Sequence, residues 1–292
     1  MSGDMMIGAV AIGPAGRHPA PLLAEAEAGV RAAAAAGAML VVLPELFADP
    51  YVAGDAPSLW PASAATEGRA LGIWAAGLAR ELDVAILYGA TLAEAEGKPF
   101  NAAFLARPGG AVEVVARKIH LPPPAPGEDF GEADHFEEGP AEIGTFPLGP
   151  LRIAALVCYD RRFPECWRAA AAAGADVVAV LIAGAAPDDP PGYCLSELAT
   201  NTRSNAVYSL AAARYGRETA TVLPLVHTGV TAAIDPNGGV LDIVPASSPG
   251  LVLARIDPAR LAAARVANPT AARLRLVRRA PTIADQRKPQ EE

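Results

Sequence analysis

Residues 151–182 read LRIAALVCYDRRFPECWRAAAAAGADVVAVLI, and this stretch decides the fold. Residues 151–157 form an apolar run of strand length that stops at Cys158. The polar cluster Tyr159-Asp160-Arg161-Arg162 makes a turn. Pro164 then opens an alanine-rich segment at the position where proline suits the first turn of a helix. A second apolar run, 176–182, follows. Strand, turn, helix, strand is the βαβ unit of an α/β fold, and Cys158 lies at the point where the first strand ends.

Working outward, the same alternation recurs. Upstream, strands are expected at 6–12, 39–43 and 84–91, with helices at 22–36 and 67–82 between them. Residues 101–106 and 112–119 flank the turn Pro108-Gly109-Gly110 and form a hairpin. Residues 122–139 carry proline, glycine and acidic side chains without periodicity. A loop of that length in a compact domain usually has a function. Downstream come a helix at 193–205, a strand at 207–213 and a second hairpin, 230–234 with 240–244, about Asp235-Pro236-Asn237-Gly238-Gly239. A strand at 251–256 and a helix at 258–266 complete the pattern. Each half thus holds βαβ units and a hairpin, without sequence repetition. No interior linker divides the chain, so residues 1–267 are expected to form one domain and residues 268–292 an Arg-rich, then polar, arm.

Composition narrows the class. Hydrophobic residues make up 52% of the 292, enough for a large core without disulfides. Much of that share is alanine, which favours closely packed helices over membrane spans. The net charge of −8 argues against nucleic acid as the main partner, although residues 273–279 are locally basic. Cys158, Cys166 and Cys194 form no CxxC pair and give no zinc signature, so reduced thiols are expected. The segment 5–13 reads as a first strand rather than a secretory leader, and a cytoplasmic enzyme is the expectation.

Three strand ends carry reactive groups. Glu45 follows the apolar run Val41-Val42-Leu43-Pro44, where desolvation is expected to raise its pKa toward that of a usable base. Lys118 closes the central hairpin in Arg117-Lys118-Ile119-His120-Leu121-Pro122. Cys158 resembles a nucleophile elbow, and nearby N–H groups and arginines are expected to favour its thiolate. Each residue alone also fits a plain structural role: a turn carboxylate, an edge lysine, an inert buried thiol. His120 reads as structural, as do Cys166 and Cys194.

Taken in order, Pro-Glu after an early strand, Lys-Ile-His-Leu-Pro, and Cys-Tyr-Asp-Arg-Arg-Phe-Pro-Glu resemble the nitrilase superfamily of carbon–nitrogen hydrolases. The similarity runs from about residue 6 to about 255. It implies a four-layer αββα sandwich, a Glu45–Lys118–Cys158 triad, no cofactor and no metal, and a homodimer or larger homo-oligomer. It also implies an oxyanion site that includes the Tyr159 backbone N–H. A second glutamate is expected from the 122–139 loop. Glu132 in Phe130-Gly131-Glu132 matches best, with Glu128 as the alternative.

Nitrile-cleaving members of that family tend to follow the cysteine with Trp-Glu, so by the same resemblance Tyr159-Asp160 implies amides or ureido compounds, with nitrile hydrolysis as an alternative on the same triad. Arg161-Arg162 resembles the segment by which N-carbamoyl-amino-acid amidohydrolases meet a substrate carboxylate. Arg161 reads equally well as a salt-bridge partner within its turn. Ala183, in the small-residue segment 182–186, is expected to line the pocket, and Ser204 stands where the family often has a glutamate. A serine hydrolase has no Gly-x-Ser-x-Gly to support it. A non-catalytic binding protein would have had reason to lose at least one of the three triad residues.

Overall fold

The computed structural model describes residues 5–14, 20–51, 53–57, 64–93, 96–125, 127–184, 189–218, 225–270 and 273. Most of the expected arm at 268–292 therefore lies outside the described residues, as do Ala185 and Ala186.

The first half runs β1 (Met5–Ala11), α1 (Ala20–Ala35), β2 (Ala38–Val42), α2 (Ala64–Leu82), β3 (Ala85–Leu92), β4 (Phe100–Ala106) and β5 (Val112–Arg117). A one-turn helix, α3 (Glu132–His135), interrupts the long loop, and β6 (Phe146–Leu148) follows it. The second half runs β7 (Leu151–Val157), a 3-10 turn (Cys158–Arg162), α4 (Pro164–Ala172), β8 (Val177–Ile182), α5 (Tyr193–Asn205) and β9 (Tyr208–Ala213). A small ribbon of β10 (Arg217–Glu218) and β11 (Leu225–Val226) comes next. The chain then continues through β12 (Thr231–Ile234), β13 (Val240–Val244), β14 (Gly250–Ile256) and α6 (Pro258–Ala267).

Two six-stranded sheets result, ordered β14-β1-β2-β3-β4-β5 and β13-β12-β9-β8-β7-β6. Their pairing is the same. In the first, β1, β2 and β3 are parallel, with β14 antiparallel on one side and β4, then β5, antiparallel on the other. In the second, β7, β8 and β9 are parallel, with β6 on one side and β12, then β13, on the other. The halves share a topology that their sequences do not display. The short β6, β10 and β11 escape sequence reading because two or three residues carry no measurable period.

Strand alternation explains the layers. Ile7, Ala9, Leu40, Val42 and Leu87 face Ile153, Ala155, Val157, Ala179 and Leu210 in a core between the sheets. The intervening residues Val10, Val41, Ile86 and Tyr88 pack outward against Leu22, Val30, Leu71 and Leu78 of α1 and α2. On the other side Leu156, Val178 and Val180 pack against Trp167 and Ala170 of α4 and Leu198 of α5. Helix, sheet, sheet, helix is the expected four-layer αββα sandwich, in which every central strand is buried on both faces. Among the described residues no helix is long and apolar enough to cross a membrane.

The sheets converge where β2, β7 and β8 end, and one glycine of β3 sets how closely the turn after β2 lies on its own sheet. A Cβ on Gly89 of β3 would lie 2.5 Å from Glu45 Cα and 2.8 Å from Leu46 N, while the Gly89 N–H donates to Pro44 O at 3.2 Å. The turn bearing Glu45 thus rests on bare backbone. Gly89→Ala is expected to cost about 1–3 kcal/mol by overpacking, read as a lower denaturant midpoint. Turnover by the folded fraction is expected to fall as well, because the methyl displaces Glu45; unchanged turnover would contradict this account.

Candidate active site

Glu45, Lys118 and Cys158 come from the ends of β2, β5 and β7 and meet in one buried cluster. Lys118 Nζ donates to Glu45 Oε1 at 2.7 Å and to Glu132 Oε1 at 2.6 Å, and all three side chains are fully buried. Asn101 Nδ2 gives Glu45 Oε1 a further bond at 2.7 Å, and the Ala183 N–H donates to Glu45 Oε2 at 2.9 Å. The Cys158 thiol lies beside Glu45 and favours its charged form. Tyr51 OH donates to Glu132 Oε1. Glu132 Oε2 is buried and has no hydrogen-bond partner among the described residues.

The nucleophile turn is held in an uncommon backbone state. Cys158 has φ +45° and Leu46, next to Glu45, has φ +44°. A left-handed non-glycine residue costs on the order of 1–3 kcal/mol and persists only where its surroundings impose it. Asp160 supplies part of that support. Its carboxylate accepts from the N–H groups of Ile119 (3.2 Å) and His120 (2.9 Å), and its Oδ1 lies 2.9 Å from His120 Nδ1. The His120 ring stacks on Phe163 with centroids 3.6 Å apart. Asp160 therefore fastens the cysteine turn to the strand end that carries Lys118, and His120 is structural as expected. His120, Asp160 and Cys166 offer atoms within 4.8 Å of one another, but the Asp160 oxygens are already taken up by these donors.

Electrostatics correct two expectations from sequence. Burial drives Glu45 upward, but the Lys118 charge, the bonds from Lys118 and Asn101 and the neighbouring Cys158 thiol outweigh it, so its pKa is lowered. Burial and the Glu45 charge raise Glu132 instead, against the opposing pull of Lys118. One ammonium neutralises one carboxylate, and the second retains a proton more readily. Lys118 is raised despite the burial that opposes its charge, by Glu132 and Glu45. Cys158 is pushed up to about 12 by burial, then by Glu45, against Lys118, Arg161 and the Gly184 N–H. The resting pair is thiol and carboxylate, not the thiolate expected from the elbow alone.

The remaining expected residues fall in different places. Glu128 Oε2 accepts from Ala125 N at 3.0 Å within its own loop, so Glu132 and not Glu128 meets Lys118. Tyr159 follows Cys158 in the turn, its ring edge-on to Phe163 at 5.5 Å. Arg161 is 3% exposed: Nη1 donates to Cys158 O at 3.0 Å, Nε lies 3.0 Å from Glu197 Oε2 and Nη2 4.0 Å from Asp189. The Arg161–Glu197 contact is an ion pair without hydrogen-bond alignment. Arg162 Nη2 donates to Asp189 Oδ2 at 2.5 Å, its guanidinium 5.6 Å from the rings of Tyr159 and Tyr193. Ala183 reaches the site through its backbone, and Ser204 is exposed at the end of α5.

Sequence reading missed Asn101 and Tyr51. Asn101 left a trace, as the one amide inside the apolar run of β4; Tyr51 left none. A cavity of about 540 Å³ is walled by Tyr193, Leu195, Val226 and Val230 and bordered by Asp189 and His227, while Glu45, Lys118, Glu132 and Cys158 do not line it.

A half-buried cysteine on a strained turn, a carboxylate beside its thiol and an ammonium bonded to that carboxylate define an acyl-transfer site. The family profile for carbon–nitrogen hydrolases matches residues 7–266, and the chain belongs to that family, within the nitrilase superfamily. A nitrilase of Pyrococcus abyssi is 30% identical over 80% of this chain and 82% of its own length. A deaminated glutathione amidase of Synechocystis is 31% identical over 85% of this chain and 90% of its own. Among solved structures, a mutant of the Nesterenkonia AN1 amidase superposes with a TM-score of 0.75 at 26% identity, covering 92% of this chain and 97% of that one.

Cys158→Ala is expected to abolish turnover while leaving the fold intact by circular dichroism. With Cys158 raised to about 12, alkylation of the resting protein by iodoacetamide should climb through the alkaline range. Glu45→Gln removes the charge that raises the thiol, so the alkylation midpoint is expected to fall while turnover drops by about 10²–10⁴, the usual worth of a general base. A midpoint that rises in this variant would contradict the assignment.

Proposed function

We propose that this hydrolase cleaves a small uncharged carboxamide through a thioester at Cys158, releasing ammonia. One observation carries the choice of substrate. Arg161 and Arg162, the two groups that would clamp the carboxylate of an N-carbamoyl amino acid, are already engaged by Glu197 and Asp189. Recruiting either would break a buried or half-buried ion pair, which is costly once one partner is left alone. Related structures support the same direction: in one, the Nesterenkonia amidase carries the acetamide moiety of fluoroacetamide on its active-site cysteine, and another holds butyramide.

In the proposed cycle Glu45 accepts the Cys158 proton as the sulfur attacks the carbonyl carbon. The oxyanion is held by the Lys118 ammonium and the Tyr159 N–H, each such donor contributing about 10²–10³ in rate. Glu45 passes its proton to the departing nitrogen, the C–N bond breaks, and a thioester remains. Glu132, whose Oε2 has no hydrogen-bond partner among the described residues, orients the substrate nitrogen and then the water. Glu45 takes a proton from that water as it attacks the thioester, the acid leaves, and the proton returns to sulfur. Lys118 stays charged throughout.

Ammonia release from acetamide, propionamide, isobutyramide, ω-amides of dicarboxylic acids, N-carbamoyl amino acids and aliphatic nitriles tests the reading. Aliphatic amides are expected to react fastest. Turnover confined to the carbamoyl compounds would overturn the substrate class and make Arg161 a clamp; turnover of nitriles alone would move the protein to the other branch.

A further inference from the structure

We propose that His227, braced by Glu218 and Arg214, is a positioning residue that holds the Ala183–Gly184 peptide against the nucleophile and the base. The inference rests on the catalytic reading of Cys158 and Glu45.

The geometry centres on one peptide unit. Its carbonyl, Ala183 O, lies 2.5 Å from His227 Nδ1, and its N–H, on Gly184, faces the Cys158 sulfur and favours the thiolate. A carbonyl only accepts, so His227 Nδ1 must carry a proton and donate it. That bond fixes the plane of the peptide whose other end faces the nucleophile. The preceding N–H, on Ala183, donates to Glu45 Oε2, so the same two residues touch both partners of the proton transfer. Gly184 has φ +75°, and a Cβ there would lie 2.6 Å from Gly229 N. Thr228 clamps the far side, its N–H and Oγ1 donating to Gly184 O at 2.7 and 2.9 Å.

His227 is itself held from behind. Its Nε2 lies 2.9 Å from Glu218 Oε2, and Arg214 Nη2 lies 3.2 Å from the same oxygen; all three side chains are fully buried. Arg214 Nη1 donates to the carbonyls of Leu46 and Asp49 at 3.3 and 2.8 Å. Glu218 Oε1 accepts from Tyr51 N at 2.7 Å, and Tyr51 OH reaches Glu132. Glu218 thus ties the two walls of the site together: one oxygen braces the imidazole behind Gly184, the other the segment behind Glu132. It stands on the β10–β11 ribbon, which at two residues per strand could not hold its place by pairing alone. A ribbon needing only an anchor would not place its imidazole on the peptide facing the nucleophile.

The test uses the full chain and a carboxamide that the parent protein turns over. His227→Leu is expected to lower kcat by roughly ten- to hundredfold, less than the 10²–10³ lost when a donor is removed outright, with KM within about twofold. Alkylation of Cys158 by iodoacetamide, followed by mass spectrometry, is expected to slow in parallel. His227→Asn, whose amide N–H can still reach Ala183 O, should recover most of both. Parental kcat and alkylation in a folded leucine variant would overturn the inference. So would equal losses in the leucine and asparagine variants with parental alkylation, since His227 would then only anchor the ribbon. If the leucine variant does not fold, Glu218→Gln is read in its place: reduced kcat and alkylation support the brace, and parental values overturn it. Cys158→Ala assayed alongside separates the two levels, because retained turnover there would overturn the catalytic reading itself.

Discussion

A single buried ammonium shared by two carboxylates is the constraint on which the rest of the site depends. Lys118 bonds to Glu45 and Glu132 with no exposure to water. An uncompensated charge there would cost several kcal/mol. The cluster is therefore stable only when its proton count is right: one carboxylate charged, the other disposed to keep a proton. The charged one is Glu45, which has the larger set of donors in Lys118, Asn101 and Ala183. That inequality makes Glu45 the group that takes a proton and leaves Glu132 able to orient a partner through its free oxygen.

The sandwich supplies this cluster by bringing strand ends of both sheets to one place. Glu45 belongs to the first sheet, yet one of its oxygens is held by Ala183 at the end of β8 in the second. Lys118 leaves β5, and Asp160 binds that strand end to the cysteine turn. The strained backbone at Leu46 and Cys158 is carried by contacts outside each turn: Gly89 beneath the first, Asp160 and the ring of His120 beside the second.

Much of this could be read from sequence, for a physical reason. Strand period and proline placement fixed the βαβ units, and Glu45, Lys118 and Cys158 stood out because each ends an apolar run where a reactive side chain is out of place. Glu132 came from likeness to a motif, since one acid among many in residues 122–139 has no local mark. Pair-dependent properties could not be read. Glu45 moves down rather than up because Lys118, distant in sequence, lies on it, and Cys158 is a thiol because burial, and then that same carboxylate, disfavour its charge. Arg161 left two readings open until Glu197 and Asp189 were seen beside it. Tyr51, Glu218 and His227 sit in segments with no period and acquire meaning only from contacts such as Tyr51 N to Glu218, 167 residues apart.

The repeated topology has a consequence for how the chain acquires reactivity. The first half supplies the acid–base group and the ammonium, the second the sulfur and the peptide that faces it. Glu45 and Ala183 are separated by 138 residues, and contacts that close such long loops form slowly because their entropy is lost before they reward it. A nascent chain in which only β1 to β5 have paired holds a carboxylate and an ammonium but no nucleophile. When β7 arrives, Cys158 is an ordinary thiol until the two sheets close face to face. Chemical competence is thus a late event in folding, and a half-made molecule has no means of acting on the amides around it.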